Sequence, residues 1–305
     1  MGKKTISAIA AAIFATTLGA SQQGCVSTKI TPDLLQAIDQ RYEQRNSTVR
    51  NKLDDMLGSV HCLRVTAEYK LEGSPEGAGI NSYSVHGSAF AYAKKDGYTY
   101  IITNAHIATR EDEIKEKFPV LNATPDGVEV KIEERVHKKQ SETAKIVTNK
   151  FDTRDADDIE LELVVADKAN DVAILRTKTD LHVSDRYILD KDFKPEVNDK
   201  VLLLGYPGNY HPLATEGRVS HLNYVISNGQ TFTTLDVNSA FGSSGSPYFI
   251  QRGDKLYWAG LFVRIMPYER TKVPLFELGI PLNKFADLLD THQPVVEKEA
   301  KKEGE

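Results

Sequence analysis

The chain has 305 residues, 40% of them hydrophobic and 27% charged. That is enough to bury one large core or two medium ones, and too ordinary for a disordered, collagen-like or disulfide-dense protein. Lys and Arg number 38 against 43 Asp and Glu, a formal charge of -5. A weakly acidic chain with no basic block is poorly suited to binding nucleic acid. Two cysteines build no disulfide framework, and their positions make no metal-ligand spacing.

Residues 1–25 read as a targeting segment. Lys3 and Lys4 precede an apolar stretch, Ile6 to Leu18, that is too short to span a bilayer as a stable helix. Gly19, Ala20 and Ser21 supply small residues for cleavage, which completes the pattern of a secretory signal peptide and implies export to the periplasm or cell envelope. Gly24-Cys25 offers a second option, lipid attachment at Cys25 and membrane anchoring, although Gln22 stands where such signals usually have Leu. In the alternative Cys25 stays free or pairs with Cys62.

Residues 26–58 read as a helical extension. Thr31 is a candidate N-cap and Pro32 a first helical residue. Leu34, Leu35, Ile38, Tyr42, Val49, Leu53, Met56 and Leu57 lie near one stripe of a helix over 31–57, which either packs on the main domain or forms a coiled coil.

From Ser59 the period shortens to that of strands. The pattern predicts strands at Val60 to Tyr69, Tyr83 to Ala93 and Tyr98 to Thr103, the last two joined by an Asp96-Gly97 hairpin turn. Val128 to Glu133, Ile159 to Val165 and Val172 to Arg176 follow. Residues 137–158 are polar and read as a surface insertion, and 178–199 as a connection between two units. A second set comprises Val201 to Gly205, Gly217 to Val225, Thr231 to Val237, Tyr248 to Gln251, Leu256 to Val263 and Pro274 to Gly279. Pro281 to Leu289 reads as a short closing helix, and 291–305 as a charged tail. The fold class is all-β, with one unit over 59–178 and another over 179–290.

Three segments place a reactive residue at the edge of an apolar run: Thr103-Asn104-Ala105-His106, Asn170-Asp171-Val172-Ala173-Ile174-Leu175, and Gly242-Ser243-Ser244-Gly245-Ser246-Pro247. Hydrolysis by a serine needs a neutral imidazole to take the hydroxyl proton. It needs a carboxylate to hold that imidazole in the right tautomer, and backbone N–H groups for the oxyanion. His106, Asp171 and Ser244 supply the first three groups. Gly242 in a glycine-rich turn allows the N–H groups of Gly242 and Ser244 to form the oxyanion hole. No metal or other cofactor is required, and the partner implied is a protein or peptide substrate.

These motifs resemble those of trypsin-like, double-barrel serine peptidases of the bacterial HtrA-like branch. Gly205-Tyr206-Pro207-Gly208, Gly217-Arg218-Val219-Ser220 and Gly279-Ile280-Pro281-Leu282 add lesser matches. The resemblance covers roughly residues 59–290 and implies two antiparallel six-stranded β-barrels with His106, Asp171 and Ser244 as a catalytic triad. Ser243 departs from it, standing where the family usually has Asp or Asn, which implies no activation by a newly cut N-terminus. Ser246 replaces a commoner Gly. Too few residues follow the last helix for a PDZ domain, so peptide-triggered activation is not implied. The substrate pocket by motif alignment involves Asn238, Phe241 and Phe262. Asn238 at the pocket base, where trypsin has Asp, argues for a small or medium apolar side chain over Lys or Arg.

Other chemistries fit less well. An α/β-hydrolase needs Gly-x-Ser-x-Gly and the order Ser before His, and neither occurs. No His-Glu-x-x-His motif supports a zinc peptidase. A peptidase-fold protein used for binding at the cell envelope, inactive or conditionally active, stays open as an alternative.

Overall fold

The computed structural model describes residues 52–74, 79–124, 127–147, 158–267 and 274–292. Thirteen strands run through them. The first seven are β1 (Val60–Leu71), β2 (Ile80–Lys95), β3 (Tyr98–Thr103), β4 (Glu113–Thr124), β5 (Gly127–Val147), β6 (Ile159–Asp167) and β7 (Val172–Thr177). They are ordered β1-β2-β3-β7-β6-β5, and β1 pairs with β5 to close a six-stranded antiparallel barrel, with β4 appended to β5. The other six are β8 (Lys200–Gly205), β9 (Leu213–Val225), β10 (Thr231–Val237), β11 (Pro247–Arg252), β12 (Lys255–Pro267) and β13 (Pro274–Pro281). They close a second barrel in the order β10-β13-β12-β11-β8-β9.

Local chemistry accounts for these elements. β1 alternates buried Val65, Ala67 and Tyr69 with more exposed neighbours, the period-two pattern of a strand with one face on a core. β3 and β7 are buried almost throughout and rich in β-branched residues, as strands in the middle of a covered sheet are. Asp96 and Gly97 turn the chain between β2 and β3 with φ of 50° and 77°, the left-handed pair that a two-residue hairpin needs.

One aromatic seam joins the barrels. Phe90 of β2 lies 5.3 Å from Trp258 of β12 and 5.9 Å from Phe249 of β11, ring centre to ring centre, both edge-on. Tyr187 packs against all three rings. It comes from the connection 178–199, which forms no helix and only one bridge, Ile188 with Tyr257. Buried rings contribute most of the packing energy of such a seam, and edge-on pairs add about 0.5–1.5 kcal/mol each.

Several expectations are corrected. Residues 137–147 are not surface insertion: they belong to β5 and close the first barrel, pairing from Leu71↔His137 to Cys62↔Val147. His137, Ile146 and Val147 are buried there, among polar neighbours that hid the pattern. Residues 148–157 lie outside the described part. β4 has no counterpart in the sequence reading. The closing helix does not start at Pro281, because β13 runs through that residue. A 3-10 turn, Leu282–Lys284, follows and then the helix Ala286–His292. Of the helix expected over 31–57, only 52–57 are described. They are helical, with Met56 fully buried in the inter-barrel core. Residues 1–25, Cys25 among them, and the tail from 293 lie outside the described part. Cys62 is a free, buried thiol, pushed up to about 12 by burial. Among the described residues no helix is long and apolar enough to cross a membrane.

His61 on β1 has a buried Nε2 without a hydrogen-bond partner. Burial, and to a lesser degree the nearby His182, lower it from 6.5 to about 4. The unfolded chain therefore gains a proton below pH 6.5 that the folded chain refuses until about pH 4. Each pH unit crossed downward in that window should cost about 1.4 kcal/mol of stability. Thermal melts across it should show this loss, and His61→Phe should be flatter over the same range.

Candidate active site

The pairing of β3 with β7 brings two distant segments together. Thr103 at the end of β3 lies opposite Ala173 near the start of β7, so the residues just after β3 face those just before β7. His106 sits in the four-residue helix Ala105–Ala108 that follows β3. Its Nδ1 lies 2.8 Å from Oδ2 of Asp171, and its backbone N–H donates to Oδ1 at 2.9 Å. One carboxylate thus grips both the ring and the main chain of His106. Asp171 holds φ at 56°, a conformation that Asp tolerates better than most residues. The preceding turn supports it: Asp167 Oδ1 accepts the N–H groups of Ala169 and Asn170, each at 3.0 Å. Asn104, fully buried, donates its side-chain N–H to the Asp171 carbonyl at 3.1 Å.

The Ser244 turn comes from the second barrel, between β10 and β11. Gly242 has φ of 96°, and a Cβ there would stand 2.3 Å from Asn209 Oδ1 and 2.6 Å from the Tyr206 carbonyl, so only glycine fits. The Gly205-Tyr206-Pro207-Gly208 segment wraps this turn, and Gly208 donates its N–H to the Phe241 carbonyl. Among the described residues no acceptor takes the N–H of Gly242 or of Ser244.

Ser88 of β2, fully buried, ties the two halves together. Its N–H donates to the Ser244 carbonyl at 2.8 Å. Its hydroxyl donates to the Gly242 carbonyl at 2.7 Å and accepts the N–H of Tyr206 at 2.9 Å. Its carbonyl accepts the Thr103 hydroxyl at 2.7 Å. The neighbouring Gly87 is where the turn and the His106 helix meet. A Cβ on it would lie 2.8 Å from the Ile107 side chain and 3.0 Å from the Ser244 carbonyl. Sequence reasoning missed Ser88. The Gly87-Ser88 pair leading directly into the apolar run Ala89 to Ala93 was the available signal, since a buried small polar residue must find partners.

The Ser244 hydroxyl differs from expectation. It donates to the Val263 carbonyl at 2.8 Å, and no hydrogen bond links it to His106. Val263 falls at the register shift between Phe262 and Arg264, where the β12–β13 ladder is interrupted. Ser243 is buried within its own turn, with its N–H on the Ala240 carbonyl and its hydroxyl accepting from Ala240 N–H. The Ser246 side chain packs against Gly205, where a Cβ would come 1.9 Å from its hydroxyl oxygen.

The pocket residues are placed less uniformly. Phe241 is 92% exposed. Asn238 is exposed and borders a surface hollow with Lys200, Glu216, Arg218 and Asp236. Phe262 is buried in the second barrel's core, so its backbone, not its ring, borders the turn: its carbonyl accepts Gly245 N–H and its N–H donates to the Ser246 carbonyl. Glu277 of β13, absent from the sequence reading, accepts a hydrogen bond from Ser239 at 3.3 Å, and burial pushes its carboxyl upward. The Glu277 carboxyl thus lies beside the 238–241 segment. Among the described residues no cluster of His, Cys, Asp and Glu could hold a metal ion.

A trypsin-like peptidase domain matches residues 87–256, a span that contains His106, Asp171 and Ser244. No curated protein matches the chain.

Ser88→Ala strands the buried Gly242 carbonyl and Tyr206 N–H. A stability loss of about 1–3 kcal/mol is expected in denaturant titration. Any reactivity of Ser244 towards a fluorophosphonate should fall by about tenfold or more, because the turn loses its anchor.

Proposed function

The chain belongs to the trypsin-like peptidase family, and on that footing we propose that it is a serine endopeptidase. The observation that carries the reading is the two-point contact of Asp171 with His106, which orients the ring and leaves its Nε2 directed away from the carboxylate. In the proposed reaction His106 takes the Ser244 proton as the hydroxyl oxygen attacks the scissile carbonyl. The N–H groups of Gly242 and Ser244 receive the oxyanion. His106 then protonates the leaving amine, and water, activated by the same imidazole, releases the acyl group from Ser244. Before attack the hydroxyl must leave the Val263 carbonyl, a rotation about one side-chain bond.

That resting hydrogen bond also favours the second reading, a peptidase-fold protein that binds without cutting or cuts only when triggered. One experiment separates the two. A fluorophosphonate should label Ser244 in the purified protein, as mapped by peptide mass spectrometry, with loss of the label in Ser244→Ala and His106→Ala. Turnover should drop by about 10³-fold or more in each single variant, and the double variant should be no worse, since the groups act as a unit. Asp171→Asn should be nearly as severe. Well-folded protein that takes no label would favour the binding reading.

We further propose export through residues 1–25, with either a lipid on Cys25 or a plain cleaved terminus. Metabolic labelling with a radioactive fatty acid should mark the protein and vanish in Cys25→Ser. An unlabelled protein would assign the cleaved terminus.

A further inference from the structure

The β4–β5 hairpin outruns its barrel. β1 pairs with β5 only over His137 to Val147, and β6 only over Ala144 to Ile146. From Gly127 to Val136, β5 pairs with β4 alone. The outer part is a ribbon two strands wide, and the 12 residues of β4 span about 40 Å at about 3.4 Å each. Such a ribbon is marginal in water unless something covers it.

Two hydrogen bonds define its free edge. Lys139 N–H donates to the Asp112 carbonyl at 2.8 Å, so odd-numbered residues of β5 direct their backbone groups towards β4. The Val136 carbonyl accepts Glu72 N–H at 2.9 Å, so even-numbered residues direct theirs to the opposite side. No register shift interrupts the β4–β5 ladder. The N–H and C=O groups of Val130, Ile132 and Glu134 therefore point to an edge that no described strand pairs. Val130 is 59% and Ile132 60% exposed. A long unpaired edge is a template for another strand.

We propose that this edge pairs with the same edge of a second copy of the chain, antiparallel, about a two-fold axis at Ile132. The charges favour that register over those centred one residue to either side. With Ile132 opposite itself, Lys131 faces Glu133 of the second copy and Glu133 faces Lys131. Centred one residue earlier, Lys131 would oppose itself. Centred one residue later, Glu133 would oppose itself and Lys131 would meet Arg135. The Ile132 register places unlike charges opposite each other at each of these positions. It also matches the edge polarity, because Ile132 then exchanges both backbone hydrogen bonds with its counterpart.

Within one chain the Arg135 guanidinium lies over the Phe118 ring of β4 at 4.7 Å. Lys131 and Glu133 stand opposite Val120 and Phe118 of β4, and among the described residues neither has an ion-pair partner. Glu134, which the register sets opposite Val130, already has Lys115 at 3.6 Å in its own ribbon. The axis is perpendicular to the sheet, so Val130 and Ile132 of both copies share one face and form an apolar strip across the two β5 strands.

Sedimentation of the full chain over a micromolar to submillimolar range tests this, with near-UV circular dichroism to confirm that each variant is folded. The wild type should reach a dimer. Lys131→Glu and Glu133→Lys each put like charges opposite each other and should weaken the dimer by about tenfold or more. The double variant Lys131→Glu/Glu133→Lys should regain wild-type association. Ile132→Pro removes only an N–H on the free edge, which the monomer tolerates, and should leave a folded monomer. A wild type that stays monomeric overturns the proposal, as does a dimer indifferent to the reversals or a double variant that fails to regain association.

Discussion

The turn that carries Ser244 belongs to the second barrel, yet its carbonyls are held by Ser88 of the first. The rest of the site depends on this contact. His106 and Asp171 are fixed by strands of the first barrel, so their relation to each other needs only the β3–β7 ladder. Their relation to Ser244 needs two separately closed barrels to meet in one registration. The aromatic seam of Phe90, Tyr187, Phe249 and Trp258 makes the barrels adhere, but apolar contact is non-directional. Ser88 supplies direction, since its hydrogen bonds tolerate only a narrow range of distance and angle.

The small residues around this contact follow from it. Gly87, Gly205, Gly242 and Gly245 each sit where an added Cβ would come within 3.0 Å of another segment's atoms. The Cβ of Gly245 would lie 2.1 Å from the Ser88 carbonyl and 2.2 Å from the Thr103 hydroxyl. Backbone therefore packs on backbone where the barrels touch. Ser246, a departure from the resembled motif, is accommodated because its side chain lies against the bare α-carbon of Gly205 rather than beside the Ser244 hydroxyl.

The first barrel closes in a way that mixed composition conceals. β5 is long and highly charged because its outer half has water on both faces, while its inner half buries His137, Ile146 and Val147 against the core. A strand that changes environment along its length has no single period, so its inner half reads as a polar insertion. The same cause hid β4, where Lys and Glu alternate with Ile, Phe and Val on a ribbon outside the barrel.

The all-β class, most strands and the places of His106, Asp171 and Ser244 at strand edges were legible in the sequence, because each is written in local pattern: alternation, glycine-rich turns, and a His, an Asp and a Ser beside apolar runs. Asp96-Gly97 dictated its hairpin for the same reason, since the conformation it needs is a property of those two residues. Tertiary structure alone decided what depends on partners remote in the chain. It placed Ser88 154 residues from Gly242 and within hydrogen-bond reach. It buried the Phe262 ring and set Glu277 beside Ser239. It also rested the Ser244 hydroxyl on the Val263 carbonyl, because an interrupted ladder left that acceptor available. Hydrogen-bond partners are chosen by distance in space, and no local pattern encodes that distance.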